Sequence, residues 1–267
     1  MRPVVLLALL LPLALAARPP ASIDDTWCED RSDYYGNDYA YGEEVYVQRS
    51  LTLPARTKLN VDGGPNGSIR VEGWDRDEIL VEACIRARAK SDDAARTRAE
   101  AVEIDTAFGI RALFPKRDRR DGETASFRVF VPRGTDLDLE TSNGGIRIAD
   151  IASTIRFNTS NGGVRMINLG GDVRGRTGNG VLVIELDGPS WDGKGLDVRS
   201  GNGAVKLYIP DDYSGSFASG TGNGRLNVDF PITVQGRIDR NVEFILGDGG
   251  PLLRARTGNG SVHIERS

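Results

Sequence analysis

The motif Thr-x-Asn-Gly, or its Ser variant, recurs six times in the C-terminal half of this 267-residue chain, and it limits the available folds more than any other feature. The copies are Thr141-Ser142-Asn143-Gly144, Thr159-Ser160-Asn161-Gly162, Thr177-Gly178-Asn179-Gly180, Ser200-Gly201-Asn202-Gly203, Thr221-Gly222-Asn223-Gly224 and Thr257-Gly258-Asn259-Gly260. Their asparagines are separated by 18, 18, 23, 21 and 36 residues. A near-constant period of this size means one supersecondary unit per copy. The last interval, twice the first, implies either a copy that lost its signature or a long insertion.

Alignment on the asparagine shows what each unit contains. Three residues after it stands Ile146, Val164, Leu182, Val205, Leu226 or Val262, and five after it Ile148, Met166, Ile184, Leu207, Val228 or Ile264. Six residues before it the chain is again apolar, at Leu137, Ile155, Val173, Leu196, Phe217 and Leu253. Apolar residues two apart mark a strand with one buried face. Each copy thus supplies two short strands joined at a turn, too small to bury its own apolar face unless copies stack. The expected fold is all-β: a β-solenoid, or β-helix, of about 18–23-residue repeats over residues 136–267. Asn143, Asn161, Asn179, Asn202, Asn223 and Asn259 are read as structural turns. Asn and Gly both tolerate the left-handed backbone region, and the preceding Thr or Ser can hydrogen-bond locally. Stacking would also set Asn over Asn and Thr over Thr in side-chain ladders.

The N-terminal half is less regular. Pro65-Asn66-Gly67-Ser68, followed by Ile69 and Val71, is an earlier relative of the motif. Strands are expected at Val81 to Ala87, Val102 to Phe114 and Ser126 to Val131, with one short capped helix opening at Ser91. Residues 45–135 then form a strand-rich subdomain capping the first repeat, whose edge would otherwise invite aggregation. Residues 1–17 have the charged start, apolar core and small-residue end of a secretory signal. Residues 18–44 read as an acidic, Tyr-rich flexible linker, with seven net negative charges from Asp24 to Glu44. No later segment approaches the roughly 18 apolar residues of a membrane span. An exported protein is expected: periplasmic, cell-surface or secreted. In such a compartment Cys28 and Cys84, the only cysteines, suggest a disulfide.

Three segments in order resemble the putative-adhesin domain family of exported bacterial proteins: Pro65-Asn66-Gly67-Ser68-Ile69-Arg70-Val71-Glu72-Gly73-Trp74-Asp75, the Thr-x-Asn-Gly-Gly repeats, and Gly247-Asp248-Gly249-Gly250 through Val262. The resemblance covers about residues 45 to 267. It implies an envelope-associated or secreted β-solenoid and carries no catalytic residues to transfer.

The residue inventory argues against an enzyme. His263 is the only histidine, which removes histidine triads and most zinc sites. Calcium-binding β-rolls need aspartates recurring with the turn, which are missing. Neither a metal nor a cofactor is expected. Asp211-Asp212, after Pro210, is the one carboxylate pair that a polysaccharide-active enzyme could use, but its setting reads as a turn. The more suggestive feature is basic. Arg156, Arg174, Arg176, Arg199, Arg254 and Arg256 fall five or three residues before the asparagines, so stacking would gather them in a column on one sheet, diluted by Asp138, Glu140 and Asp197. Such a column would attract anionic polymers. The expected function is therefore a non-enzymatic scaffold for surface interaction or adhesion, recognising an anionic polysaccharide or envelope component rather than nucleic acid. A polysaccharide-active enzyme is the first alternative. The second is a structural protein associating end to end through an uncapped final strand at Val262.

Overall fold

The computed structural model describes residues 27–28, 43–115, 122–229 and 240–267. The chain divides into two compact units, residues 1–36 and 37–267. In the first, Trp27 and Cys28 are described, and both are buried. The signal expected at residues 1–17 and nearly all of the linker expected at residues 18–44 lie outside the described residues. Cys28 and Cys84 are both disulfide-bonded, and neither is a free thiol.

The second unit opens with β1 (Glu43–Pro54), two residues inside the expected linker, then β2 (Lys58–Asp62), β3 (Ile69–Trp74) and β4 (Glu78–Ala89). Helix α1 (Asp92–Glu100) follows, its first turn capped by Ser91, whose hydroxyl accepts the Ala94 N–H. The strand expected from Val102 to Phe114 is instead an antiparallel hairpin, β5 (Glu103–Asp105) and β6 (Ile110–Leu113), with Phe108 exposed at its turn. After β7 (Thr124–Pro132) the chain alternates between two sheets. The pairs are β8 (Asp136–Thr141) with β9 (Ile146–Ala149), β10 (Ala152–Thr159) with β11 (Val164–Ile167), and β12 (Gly170–Asn179) with β13 (Leu182–Glu185). Next come β14 (Gly195–Asn202) with β15 (Val205–Ile209), and β16 (Gly215–Asn223) with β17 (Leu226–Val228). Strand β18 (Asn241–Leu246) precedes the final pair, β19 (Leu252–Asn259) and β20 (Val262–Arg266).

Among the described residues both sheets have ten strands and mix parallel with antiparallel pairing. One, the entry sheet, holds the strand before each asparagine, and the other, the exit sheet, holds the strand after it. Within the repeats neighbours are parallel and in register, so equivalent residues stack: Leu59, Leu137, Ile155, Val173, Leu196, Leu253 and Phe217 in the entry sheet. Ile69, Ile146, Val164, Leu182, Val205, Val262 and Leu226 do the same in the exit sheet. These stacks face one apolar core. Strand β2 joins the entry stack and β3 the exit stack, so the relative at Asn66 is a seventh unit continuous with the rest. Register is also set by volume: Phe157 fills the space beside Gly175, where an added Cβ would overlap its ring.

The copies do not stack in chain order. The last unit, β19 and β20, lies between β14–β15 and β16–β17. The 36-residue interval is therefore an insertion that carries β18, which pairs antiparallel with β16 at the sheet edge and stacks Phe244 on Phe217 at 5.0 Å. Strand β20, expected at an open edge, has a neighbour on each side. End-to-end association thus loses the edge on which it was argued.

Turn chemistry also differs from expectation. No motif asparagine has a positive φ, and among the six motif glycines only Gly203 and Gly260 do. The glycines are needed because the backbones approach closely: a Cβ on Gly144 would overlap the Gly67 carbonyl, and one on Gly162 that of Gly144. Nor do the Thr hydroxyls bond locally or to each other. Thr141, Thr159, Thr177, Ser200, Thr257 and Thr221 donate to the carbonyls of Gly67, Gly144, Gly162, Gly180, Gly203 and Gly260, each in the neighbouring unit, at 2.7–3.0 Å. The asparagines do form the expected ladder. Each Nδ2 donates to the next Oδ1 in one direction, through Asn223, Asn259, Asn202, Asn179, Asn161, Asn143 and Asn66, at 2.7–2.9 Å.

Thr177→Val keeps the side-chain shape but leaves the buried Gly162 carbonyl without its donor. Denaturant unfolding should show a loss of about 1–3 kcal/mol, against a change within about 0.5 kcal/mol for Ser160→Ala on the exposed neighbouring position. Equal effects would remove the cross-unit bond from the account.

Candidate functional site

The in-register stacking that builds the core also sorts the outward residues of the entry sheet into rows. Five residues before the six motif asparagines the row reads Asp138, Arg156, Arg174, Asp197, Arg254, Ala218, and β2 adds Asn60 beside Asp138. Three residues before them it reads Glu140, Asn158, Arg176, Arg199, Arg256, Gly220, and β2 adds Asp62 beside Glu140. The six arginines therefore form two rows rather than one column.

In the first row every arginine has a carboxylate. Arg156 and Arg174 both donate to Asp172, at 3.2 and 3.0 Å, and Arg254 pairs with Asp197 at 3.1 Å. Burial acts to raise the Asp172 pKa, but the hydrogen bonds and charges of the two guanidinium groups outweigh it and hold the carboxyl below its ordinary value. These side chains form a partly exposed ion-pair network, and their charges are already matched.

The second row is different. Arg176, Arg199 and Arg256 stand on three adjacent strands, all exposed. Arg176 donates to the Asn158 side-chain oxygen at 2.9 Å, and Arg199 and Arg256 have no hydrogen-bond or ion-pair partner among the described residues. Neighbouring strands lie about 4.8 Å apart, and like charges opposed across them destabilise a sheet. Arg256 joins this row only because the last unit inserts beside β14. In chain order the next strand after β14 would offer Gly220.

A groove of about 660 Å³ runs beside these arginines. Its floor is Gly178, Gly201 and Gly258, the variable position of the motif, where the absent side chains leave room and exposed backbone. Its far side begins at the asparagine ladder, with Asn179 in the lining. An Asn amide has two donor hydrogens, and the ladder uses one, so each asparagine keeps an N–H to offer. Arg240, which the repeat alignment did not single out, donates to the Gly222 carbonyl at 2.7 Å and adds a cation beyond Arg256. It lies outside the motif register, so no spacing argument could have found it. The groove therefore offers donors and positive charge along its length, with no carboxylate among its described lining residues.

The other candidates lie elsewhere. Asp211 pairs with Arg266 at 3.1 Å on an exposed turn after β15, and Asp212 is exposed beside it. His263 points outward between buried Val262 and Ile264, its Nδ1 3.4 Å from the Asn227 amide. Among the described residues no three His, Cys, Asp or Glu side chains are grouped to hold a metal, and no helix is long and apolar enough to cross a membrane.

Because the folded-state pKa of Asp172 is depressed, the stability it contributes is present above its unfolded value and lost as pH falls through the folded one. The stability difference between wild type and Asp172→Asn should be largest at neutral pH and close below about pH 4. A difference constant with pH in thermal unfolding would show that the carboxylate charge contributes nothing.

No protein-family model matches the chain, and no curated protein does. Solved structures with some likeness include a "putative cell adhesion protein" from Clostridium sporogenes, at 11% identity and TM-score 0.43, over 84% of this chain and 100% of that one. A "putative adhesin" from Parabacteroides distasonis is 10% identical with TM-score 0.37, over 85% and 98% of the two chains. A "putative lipid binding protein" from the same organism is 10% identical with TM-score 0.33, over 82% and 96%. At these values the site stands on its own residues.

Proposed function

We propose that this chain is an exported, non-enzymatic scaffold of β-solenoid form that engages a linear anionic polymer, an acidic glycan or envelope component, along the groove beside Arg176, Arg199 and Arg256. One observation carries the reading: three guanidinium groups in register on adjacent strands with no carboxylate between them. A sheet exterior that needed only solubility would interleave its charges, as the row of Arg156, Arg174 and Arg254 does with Asp172 and Asp197. An unmatched row lowers stability unless an anion completes it. Guanidinium suits planar carboxylates and sulfates, and the free Asn N–H groups opposite can donate to an acceptor-rich ligand. Export, expected from the first 17 residues, makes a carbohydrate polymer the fitting anion rather than nucleic acid.

The double variant Arg199→Ala/Arg256→Ala should lose about tenfold or more in affinity for immobilised polygalacturonate at low salt, the worth of one charged hydrogen bond or more. Arg174→Ala, whose charge is already matched, should change affinity much less, and added salt should weaken every complex. Equal binding by all three proteins would end the reading.

A further inference from the structure

The row of three arginines is bounded differently at its two ends, and this fixes more than its sign. On one side it meets Asn158, whose amide reaches Glu140 at 3.5 Å while its oxygen accepts from Arg176, and beyond it lie Glu140 and Asp62 in the same register. A polyanion continuing in that direction would lay its charges over two carboxylates. On the other side the row meets Gly220, where Asn241 occupies the space above the glycine, and Arg240 supplies a further cation at Gly222. The glycine floor runs across the strands, so a chain seated in the groove lies along the stacking direction, perpendicular to β12, β14 and β19.

Resting on the polyanion reading of the groove, we propose that the site reads charge spacing: it takes a polymer with an anionic group on every residue, one residue per strand, over a footprint of three to four residues that Glu140 and Asp62 close at one end. In a uniform uronic acid chain every residue carries a carboxylate and the rise per residue is comparable with the inter-strand spacing of about 4.8 Å, so a chain that turns its carboxylates to one side meets an arginine at each residue. A chain in which acidic and neutral sugars alternate puts a charge over only every second arginine. The field of the row attracts both. The spacing distinguishes them, because bidentate guanidinium–carboxylate contacts demand position as well as charge.

The test is calorimetric titration of the full chain with oligogalacturonates of graded length and with hyaluronan oligosaccharides carrying the same number of carboxylates. Affinity should climb with each galacturonate up to the trimer or tetramer and then level off, and at equal charge number the hyaluronan oligosaccharides should bind about tenfold more weakly. Glu140→Gln should leave trimer affinity unchanged while allowing longer oligomers to gain further, with unfolding curves confirming that the variant is folded. Affinity that keeps rising with length in the wild type, or equal binding of the two series, would overturn the spacing inference and leave the anionic-polymer reading standing. Absence of binding by either series would overturn both.

Discussion

Each unit of this fold is locked to the next by a hydroxyl, from Thr141, Thr159, Thr177, Ser200, Thr257 or Thr221, donated into the glycine carbonyl of its neighbour. The bond forms only where two backbones come close enough to exclude a Cβ, which accounts for the glycine after each asparagine. It also forms only in one register, because a slip by one residue would turn the hydroxyl outward and the apolar stacks with it. Core, ladder and surface rows are consequences of that single alignment. The asparagine ladder runs outside it as a second, exposed line of the same register, with every donor pointing the same way.

The same alignment makes the candidate site depend on topology rather than on sequence neighbourhood. Arg199 and Arg256 are 57 positions apart along the chain yet sit on adjacent strands, because β19 and β20 enter the stack between earlier units. That insertion removes Gly220 from beside Arg199 and leaves three cations in line. It also takes β20 away from the edge of the exit sheet, where β17 stands, while β18 closes the entry sheet with Phe244 against Phe217. The cost of the unmatched arginines is carried by a sheet whose interior stacks Leu137, Ile155, Val173, Leu196, Leu253 and Phe217, all buried.

Much of this was legible in the sequence. The spacing of Asn143, Asn161 and Asn179 gave the unit, and the residues six before and three and five after each asparagine gave the two buried strand faces, since period-two alternation reports burial directly. The asparagine ladder followed from stacking. What could not be read were distances between units. Thr hydroxyls can serve their own turn or a neighbour's, and glycines can supply either conformational freedom or closeness, with identical letters. Copy order was hidden for the same reason: six similar units can stack in several orders, and the choice is made by the β18 insertion. The arginines stand in two rows of the entry sheet, and their division into a matched and an unmatched row depends on Asp172, which is outside the motif, and on that order. Arg240 has no periodic signal at all.

Adjacency of the final unit to β14 is the claim on which both the architecture and the groove rest, and a pair of engineered cross-links tests it directly. Adjacent strands at about 4.8 Å fall within disulfide reach, whereas strands two apart at about 9.6 Å do not. Under mild oxidation the double variant Asn202→Cys/Asn259→Cys should form a bond between the two positions, identified by peptide mapping, and Asn202→Cys/Asn223→Cys should not. Linkage of positions 202 and 223 with none between 202 and 259 would mean that the units stack in chain order, and the row formed by Arg176, Arg199 and Arg256 would not exist.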